Sequence, residues 1–341
     1  MSYSHRFFLY GPVALFLALV IAVMGYWWVA SSAFSKRLDQ LNGHEIAPGV
    51  HFSFAQKSMG GFPFRVDSVL DGLRVEIATS HGPTVWTSEH FAMHALTYGR
   101  LQGVLEAAGN QAVTWHDDRG QLHEYDFLPG SLRASAIVDG DAISRFDLQL
   151  IDATSADVSA AHVELHLRKD PKIDGFDLAA SADGVHMSPD LKPAFGPDVK
   201  HFAAMALLSP GSSFERLLAG HADWRVCAEN WRMRHGGLLV NRLEIVWGKL
   251  NATGSGALSV DALHRPLGVL DLQIANWQAL LQQAGAQGLA KEPDNGLAAG
   301  FLAFAAGQAT SSDQPLKTKI AMKDGVLYIG TTPADLLSPF Y

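Results

Sequence analysis

Residues Phe7 to Ala30 form one unbroken apolar run, FFLYGPVALFLALVIAVMGYWWVA, without a charged side chain. A bilayer core roughly 30 Å thick is crossed by about 20 apolar helical residues, so the run is long enough to span. The apolar stretch of a cleaved secretory leader is only about 7–15 residues long. This run exceeds that, and it ends in Tyr26, Trp27 and Trp28, rings suited to the headgroup boundary. The small residues Ala30-Ser31-Ser32-Ala33 keep a cleaved leader as the alternative. Pro12 sits near the start of the span, where helical N–H groups are unpaired anyway. His5 and Arg6 precede the span, and Lys36 and Arg37 follow it beside Asp39. The basic flanks are nearly even, so the topology expected is the simplest one: a short tail inside and a large exported body.

The body is large and well supplied with apolar residues. Hydrophobic residues make up 48% of the chain and charged residues 18%, ample for a core and contrary to disorder. Arg6 is the only Lys, Arg, Asp or Glu among the first 30 residues, which leaves the body 25 basic and 34 acidic side chains, a net of −9. That sign disfavours nucleic acid and anionic lipid headgroups as partners for the whole surface. The single cysteine, Cys227, closes no internal disulfide and reads as a buried, inert thiol.

Past residue 48 the pattern is period two. Val50, Phe52 and Phe54 alternate with polar residues, as do Leu73, Val75 and Ile77, then Phe146, Leu148 and Leu150, then Val163, Leu165 and Leu167. One apolar and one polar face per strand implies antiparallel sheet with one side wet. The pairs Asp71-Gly72, Asp139-Gly140, Asp174-Gly175, Asp183-Gly184, Gly236-Gly237 and Asp324-Gly325 read as tight turns between strands. Helix is expected over Ser35–Leu41 as a stalk, Pro197–Leu208, Ser213–Leu218, Asn276–Ala284 and Asn295–Gly307. The Pro- and Gly-rich stretch Ser188–Pro197 is the expected boundary. The division is a tail (1–6), an anchor (7–30), a stalk (31–47), a first β-rich half (48–190) and a second half with short helices (191–341). The fold class is mainly β: an N-terminal transmembrane helix followed by antiparallel, meandering, curved sheet.

Three stretches carry a resemblance: Gly60-Gly61-Phe62-Pro63-Phe64-Arg65, the alternating segment from Trp247 through Leu250, Ala252, Gly254, Gly256 and Leu258 to Asp261 with Arg265-Pro266-Leu267-Gly268 after it, and Lys323-Asp324-Gly325-Val326-Leu327-Tyr328-Ile329-Gly330. With these the chain resembles an uncharacterised bacterial family of single-span envelope proteins marked by a Gly-Phe-Pro-Phe-Arg motif. More distantly it is similar to AsmA-like envelope proteins. The resemblance implies a bacterial inner-membrane protein whose C-terminal body lies in the periplasm. It also implies work in envelope lipid homeostasis, with lipid as ligand and an envelope protein as partner.

Read physically, the first motif is a turn entering an edge strand, with Phe62 and Phe64 on one side and Arg65 on the other. Its functional reading is a membrane-proximal contact with lipid or a partner. In the second motif Leu250, Ala252, Gly254 and Leu258 share a face with Gly256, as a covered strand or as the lining of an acyl-chain groove. His162, Glu164 and His166 share a strand face but span about 13 Å, too far for one ion. His116, Asp117, Asp118 and His123 read as a polar loop. The six scattered tryptophans beyond the anchor (Trp86, Trp115, Trp224, Trp231, Trp247 and Trp277) read as core. The sequence holds no nucleophile elbow, phosphate loop or HExxH motif. The expectation is a non-enzymatic, membrane-anchored envelope protein that binds lipid, without catalytic residue, cofactor or metal. A scaffold and a hydrolase are the alternatives.

Overall fold

A computed structural model describes residues 6–79, 82–96, 102–117, 119–193, 195–279 and 314–341. Helix α1 runs Arg6–Leu41 without a break, so the span and the stalk are one rod of 36 residues. At 1.5 Å per residue it is about 54 Å long, more than a bilayer needs. Gly43, at φ 78°, turns the chain out of it.

Strands then follow almost without interruption. They are β1 (His44–Ala47), β2 (Val50–Ser53), β3 (Gln56–Gly60), β4 (Arg65–Thr79), β5 (Gly82–Leu96), β6 (Gln102–His116), β7 (Leu122–Leu128), β8 (Ser131–Asp139) and β9 (Ala142–Ser155). Beyond them lie β10 (Val158–Lys169), β11 (Phe176–Met187) and β12 (Asp198–Ser209), helices α2 (Glu215–Leu218) and α3 (Trp224–Met233), then β13 (Gly237–Trp247), β14 (Leu250–Val260) and β15 (Pro266–Ala275). The chain closes with β16 (Leu316–Lys323), β17 (Val326–Ile329) and β18 (Thr332–Leu336). Every pairing is antiparallel, and the sheet is a meander. Strands β2 and β3 lie end to end along one edge of β4, and β7 and β8 lie end to end between β6 and β9. From β8 onward each strand pairs with the next, and β11 bonds to β12 across the 188–197 stretch.

A crease crosses this sheet. It runs through Ala55, Gly72, Glu89, Gly109-Asn110, Gly130, Asp152, Ala161, Gly184 and Lys200, which stand opposite one another from strand to strand. Gly72, Gly109, Asp152 and Gly184 have positive φ of 63°, 73°, 49° and 61°. At the crease the apolar face changes phase. Leu70 and Leu73, three apart, are both buried, as are Phe91 and Ser88. Glycine kinks and bulges are the local means of bending a sheet sharply. Here they are aligned from β4 to β12, so that part of the sheet bends along one line.

Several expectations change on this account. Asp71-Gly72 and Asp183-Gly184 are not hairpins: both lie inside long strands and form the crease. Pro197–Leu208 is not a helix. Its Val199, Phe202 and Ala203 stripe fits a helical period, but residues 198–209 are held as β12 by ladders on both edges, to β11 and β13. The Gly-Phe-Pro-Phe-Arg turn enters an interior strand rather than an edge, because β4 is paired on both sides. Helix α3, capped by the Asp223 side chain on the Arg225 N–H, is an addition to the expected list. Of Asn276–Ala284, helix is seen over 277–279, and the remainder lies outside the described residues, as does Asn295–Gly307.

The core is concentrated at the two ends of the sheet. Near the start, Leu38 of α1 packs with Phe54, Leu70, Leu73, Phe91 and Ala107. Near the finish, Ala252, Ile274, Trp277, Leu327 and Ile329 cluster. The insertion between β12 and β13 folds back over the strands between. Its α2 packs against β9, and a Cβ on Gly220 would lie 4.0 Å from that of Ala47 in β1. The sheet is therefore curled enough for its first strand to meet the insertion beyond its twelfth.

The crease generates a test at Asp152, an exposed residue in the left-handed region that L side chains enter at a cost of roughly 1–2 kcal/mol. Asp tolerates that region and a β-branched residue does not. Asp152→Val is expected to destabilise the protein by about 2 kcal/mol in chemical denaturation, while Asp152→Gly stays within about 0.5 kcal/mol of the parent or exceeds it. Equal losses in both variants would mean that the Asp side chain, not the backbone, matters.

Candidate functional site

The register places one continuous apolar surface on the face that α1 packs against. Its central row starts with Met93, Leu105, Ala134, Leu148 and Leu165, each directly opposite the next. It continues through Ala180, Ala204, Leu243, Gly254 and Leu272. The rows two residues to either side, from Phe91 to Ile274 and from Ala95 to Leu270, hold only apolar side chains and glycine. Ten rungs about 4.8 Å apart make a stripe about 43 Å long, and three rows make it about 13 Å wide. Its ends belong to the two cores. Between them the packing is looser: Leu165 is 45% exposed.

The second predicted motif falls within this surface. Leu250, Ala252, Gly254 and Leu258 sit on β14 facing the apolar side, opposite Ile274, Leu272 and Gly268 of β15 for the last three. Ala252 is buried in the terminal core. The glycines have a physical reason. A Cβ at Gly254 would collide with the Leu272 side chain, and one at Gly256 with the Val269 carbonyl. What approaches β14 so closely is its own neighbour β15, not a separate layer.

The first motif lies where the rod meets the sheet. The Trp27 indole N–H donates to the Arg65 carbonyl at 2.8 Å. Phe62 stands edge-on to Trp27, with ring centroids 5.4 Å apart. Gly61, at φ 90°, lets the Arg65 N–H reach the Gly61 carbonyl, and a Cβ there would meet Arg65. Phe62 and Phe64 remain 51% and 66% exposed, and Arg65 pairs with Asp67 at 2.8 Å. The two predicted groups are thus not one site: the turn marks the junction of α1 with the sheet, and the β14 residues belong to the far end of the apolar face.

The opposite face is polar and self-paired. Five Asp–His pairs stand directly across from one another on adjacent strands: Asp67–His94, Asp71–His90, Asp147–His166, Asp183–His201 and Asp198–His186, each with Nδ1 at 2.6–2.8 Å from a carboxylate oxygen. Opposite charges across a strand pair favour the register. The carboxylate hydrogen bonds, to Asp71 and Asp147 respectively, raise the pKa of His90 and of His166 above the usual imidazole value. Glu164 lies 3.2 Å from His162 and 3.5 Å from His166. Among the described residues no group of three or more His, Cys, Asp or Glu is arranged to hold a metal. Asp117 accepts from the Arg119 and Gln121 N–H groups and from His123, as a turn-closing residue, and Asp118 lies outside the described residues. An open depression of about 500 Å³ involves Arg242, Glu244, Asp271 and Lys319, whose mixed charges select neither anion nor cation.

Cys227 is buried and its thiol is pushed up by that burial, as an inert cysteine is. Trp231 and Trp277 are core residues, whereas Trp115 and Trp224, expected in the core, are exposed. One cluster escaped the sequence reading. Glu229 takes two hydrogen bonds from Arg232 and one from Tyr341, lies 3.2 Å from His264, and is held down to about 2 mainly by Arg232. His264 and Tyr341 stack at 4.4 Å. Glu229 and Arg232 are an i,i+3 pair on α3, but His264 and Tyr341 are distant in sequence and no local signal joins them to it; together they clasp the C-terminal segment to α3.

Among the described residues, one long apolar helix joined to a creased antiparallel meander with one apolar and one polar face defines the class. The chain belongs to the bacterial family described as uncharacterized protein conserved in bacteria (DUF2125), whose model matches residues 27–336. The match starts at Trp27 and therefore includes its junction with the Phe62–Arg65 turn and every strand among the described residues. No curated protein matches the chain.

The Asp71–His90 and Asp147–His166 pairs make stability pH-dependent. A histidine whose folded pKa is raised stabilises fully below its unfolded pKa, near 6.5, and that stabilisation is lost as pH rises through the folded value. Thermal stability is therefore expected to fall as pH is raised above about 6.5. Replacing His90 and His166 together by Gln is expected to flatten that slope. An unchanged slope in the double variant would assign the dependence elsewhere.

Proposed function

We propose that this is a single-pass protein of the bacterial inner membrane whose periplasmic body holds the acyl chains of a lipid against the apolar face of its sheet. The observation that carries this reading is the three-row apolar stripe, packed at both ends and loosest near Leu165. Lipid sites are mostly apolar with few polar groups, and a stripe about 13 Å wide accommodates paired acyl chains. The anchor reading is supported by α1, the only helix among the described residues long and apolar enough to cross a membrane. The sequence resemblance to single-span envelope proteins supports the placement in the periplasm. In this reading the protein carries a lipid and does not convert it.

A second reading has its own support. Among the described residues β1 pairs only with β2 and β18 only with β17, leaving free edges at both ends of the sheet. Free edges recruit strands from other chains, so an envelope scaffold is the rival.

Mass spectrometry of the purified full chain separates the two. Under the first reading, diacyl lipid co-purifies and Leu165→Arg, at a half-exposed position, removes it at unchanged thermal stability. A lipid-free parent protein, or a variant that retains the lipid, defeats the cargo reading. Alkaline phosphatase fused behind Tyr341 is expected to be active; an inactive fusion would reverse the topology.

A further inference from the structure

We propose that the turn Gly61–Phe64 is a second membrane attachment, dipping Phe62 and Phe64 into the interfacial layer of the leaflet from which α1 emerges. This rests on the anchor reading above but not on the lipid-cargo reading. The argument is one of depth. Along α1 the side chains of Leu15, Leu19, Ile21, Met24, Trp28 and Val29 are all more than half exposed, whereas Ser31 and Leu38 are buried against the sheet. The boundary between the part of the rod that needs another covering and the part that the protein covers therefore falls at residues 29–31. Trp27 stands one turn before it. Tryptophan at the end of an apolar span sits at the headgroup level.

Trp27 is also the residue that the turn touches. Phe62 meets its ring at 5.4 Å, and the Arg65 carbonyl accepts its indole N–H. Whatever depth Trp27 has, Phe62 shares. Phe64 is two residues further on, within about 7 Å, and interfacial segments bury their apolar side chains about 5–10 Å into the headgroup boundary. Arg65 suits the same layer. Its apolar stem lies beside Gly61, and its charged head can remain at the water side, paired with Asp67. The partner is thus a lipid surface, in continuity with the helix that already crosses it. The turn fixes the tilt of the sheet: α1 runs alongside β4, from Trp27 at Arg65 to Leu38 at Leu70 and Leu73, so the strands nearest the rod stand upright on the leaflet.

The test uses the full chain in phosphatidylcholine nanodiscs, with a polarity-sensitive fluorophore on Phe64→Cys, on Phe62→Cys and, as the distal control, on Glu124→Cys. Glu124 is exposed and lies at the opposite end of the strands, about 36 Å from the turn measured along the strand path at the usual rise. Cys227 is buried and stays unlabelled, which the unsubstituted protein verifies. Lipid carrying a spin label near the headgroup is expected to quench positions 62 and 64 severalfold more than position 124, with a blue-shifted emission. Quenching at 62 and 64 no greater than at 124, with full access to aqueous iodide, overturns the attachment. Because lipid co-purification is read separately, a quenched turn on a protein without cargo refutes the cargo alone, and an unquenched turn on a lipid-loaded protein refutes the attachment alone.

Discussion

The rest of the structure depends on the strand register. Side chains alternate across a strand, so a slip by one residue would send an apolar row into water and bring its charged neighbours to the packed face. Both faces resist that slip here. On one side, three rows of ten positions are apolar or glycine without exception. On the other, five Asp–His pairs and the Arg133–Glu106 pair meet only in the observed register. Exposed ion pairs contribute little stability singly. Their value lies in specificity, since each is lost in any shifted pairing.

A flat sheet of this length would leave its apolar face uncovered. The crease, the glycines of β14 and the insertion after β12 all act on that difficulty. The aligned positive-φ residues bend the early and middle strands, and Gly254, Gly256 and Gly268 let β14 and β15 close up where a Cβ would collide with the neighbouring strand. The consequence is the meeting of Gly220 with Ala47. The terminal cores then form where the curled sheet can be covered by α1 at one end and by β17 with Trp277 at the other.

Much of this was legible in the sequence, and the failures have one cause. Period-two alternation gave the strands, and apolar length gave the rod. Asp71-Gly72 and Asp183-Gly184 have the chemistry of a hairpin turn, because a positive φ is what such a turn requires. A kink within a strand requires the same φ, and only the pairing partners distinguish them: Ala55 stands near Gly72 and Ala161 near Gly184. Residues 198–209 failed likewise. Ala203, Ala204, Met205 and Ala206 have helical preference, but two flanking ladders override it, and those ladders come from residues on either side in sequence. Of the candidate site, the shared face of Leu250, Ala252, Gly254 and Leu258 was readable from spacing. Its extension over nine further strands was not, because that depends on register. Of the clasp, the i,i+3 spacing of Glu229 and Arg232 is local, but the approach of His264 and Tyr341 depends on the tertiary fold.

The junction at Trp27 ties these two scales together. The rod's apolar surface is uniform around its circumference as far as Val29, as a lipid-facing helix is, and then becomes one-sided where Leu38 enters the core. A helix that is apolar all round and a sheet that is apolar on one face have different needs, and they meet at a single turn of the chain. The indole N–H answers the Arg65 carbonyl at the first residue of β4, so the strand that starts the long-stranded part of the meander is set directly by the rod. Every later strand takes its register from its predecessor. The orientation of the apolar face relative to α1 is therefore transmitted from one aromatic contact through consecutive hydrogen-bonded ladders, and a continuous sheet connects the rod to the distant core at Ile274 and Leu327.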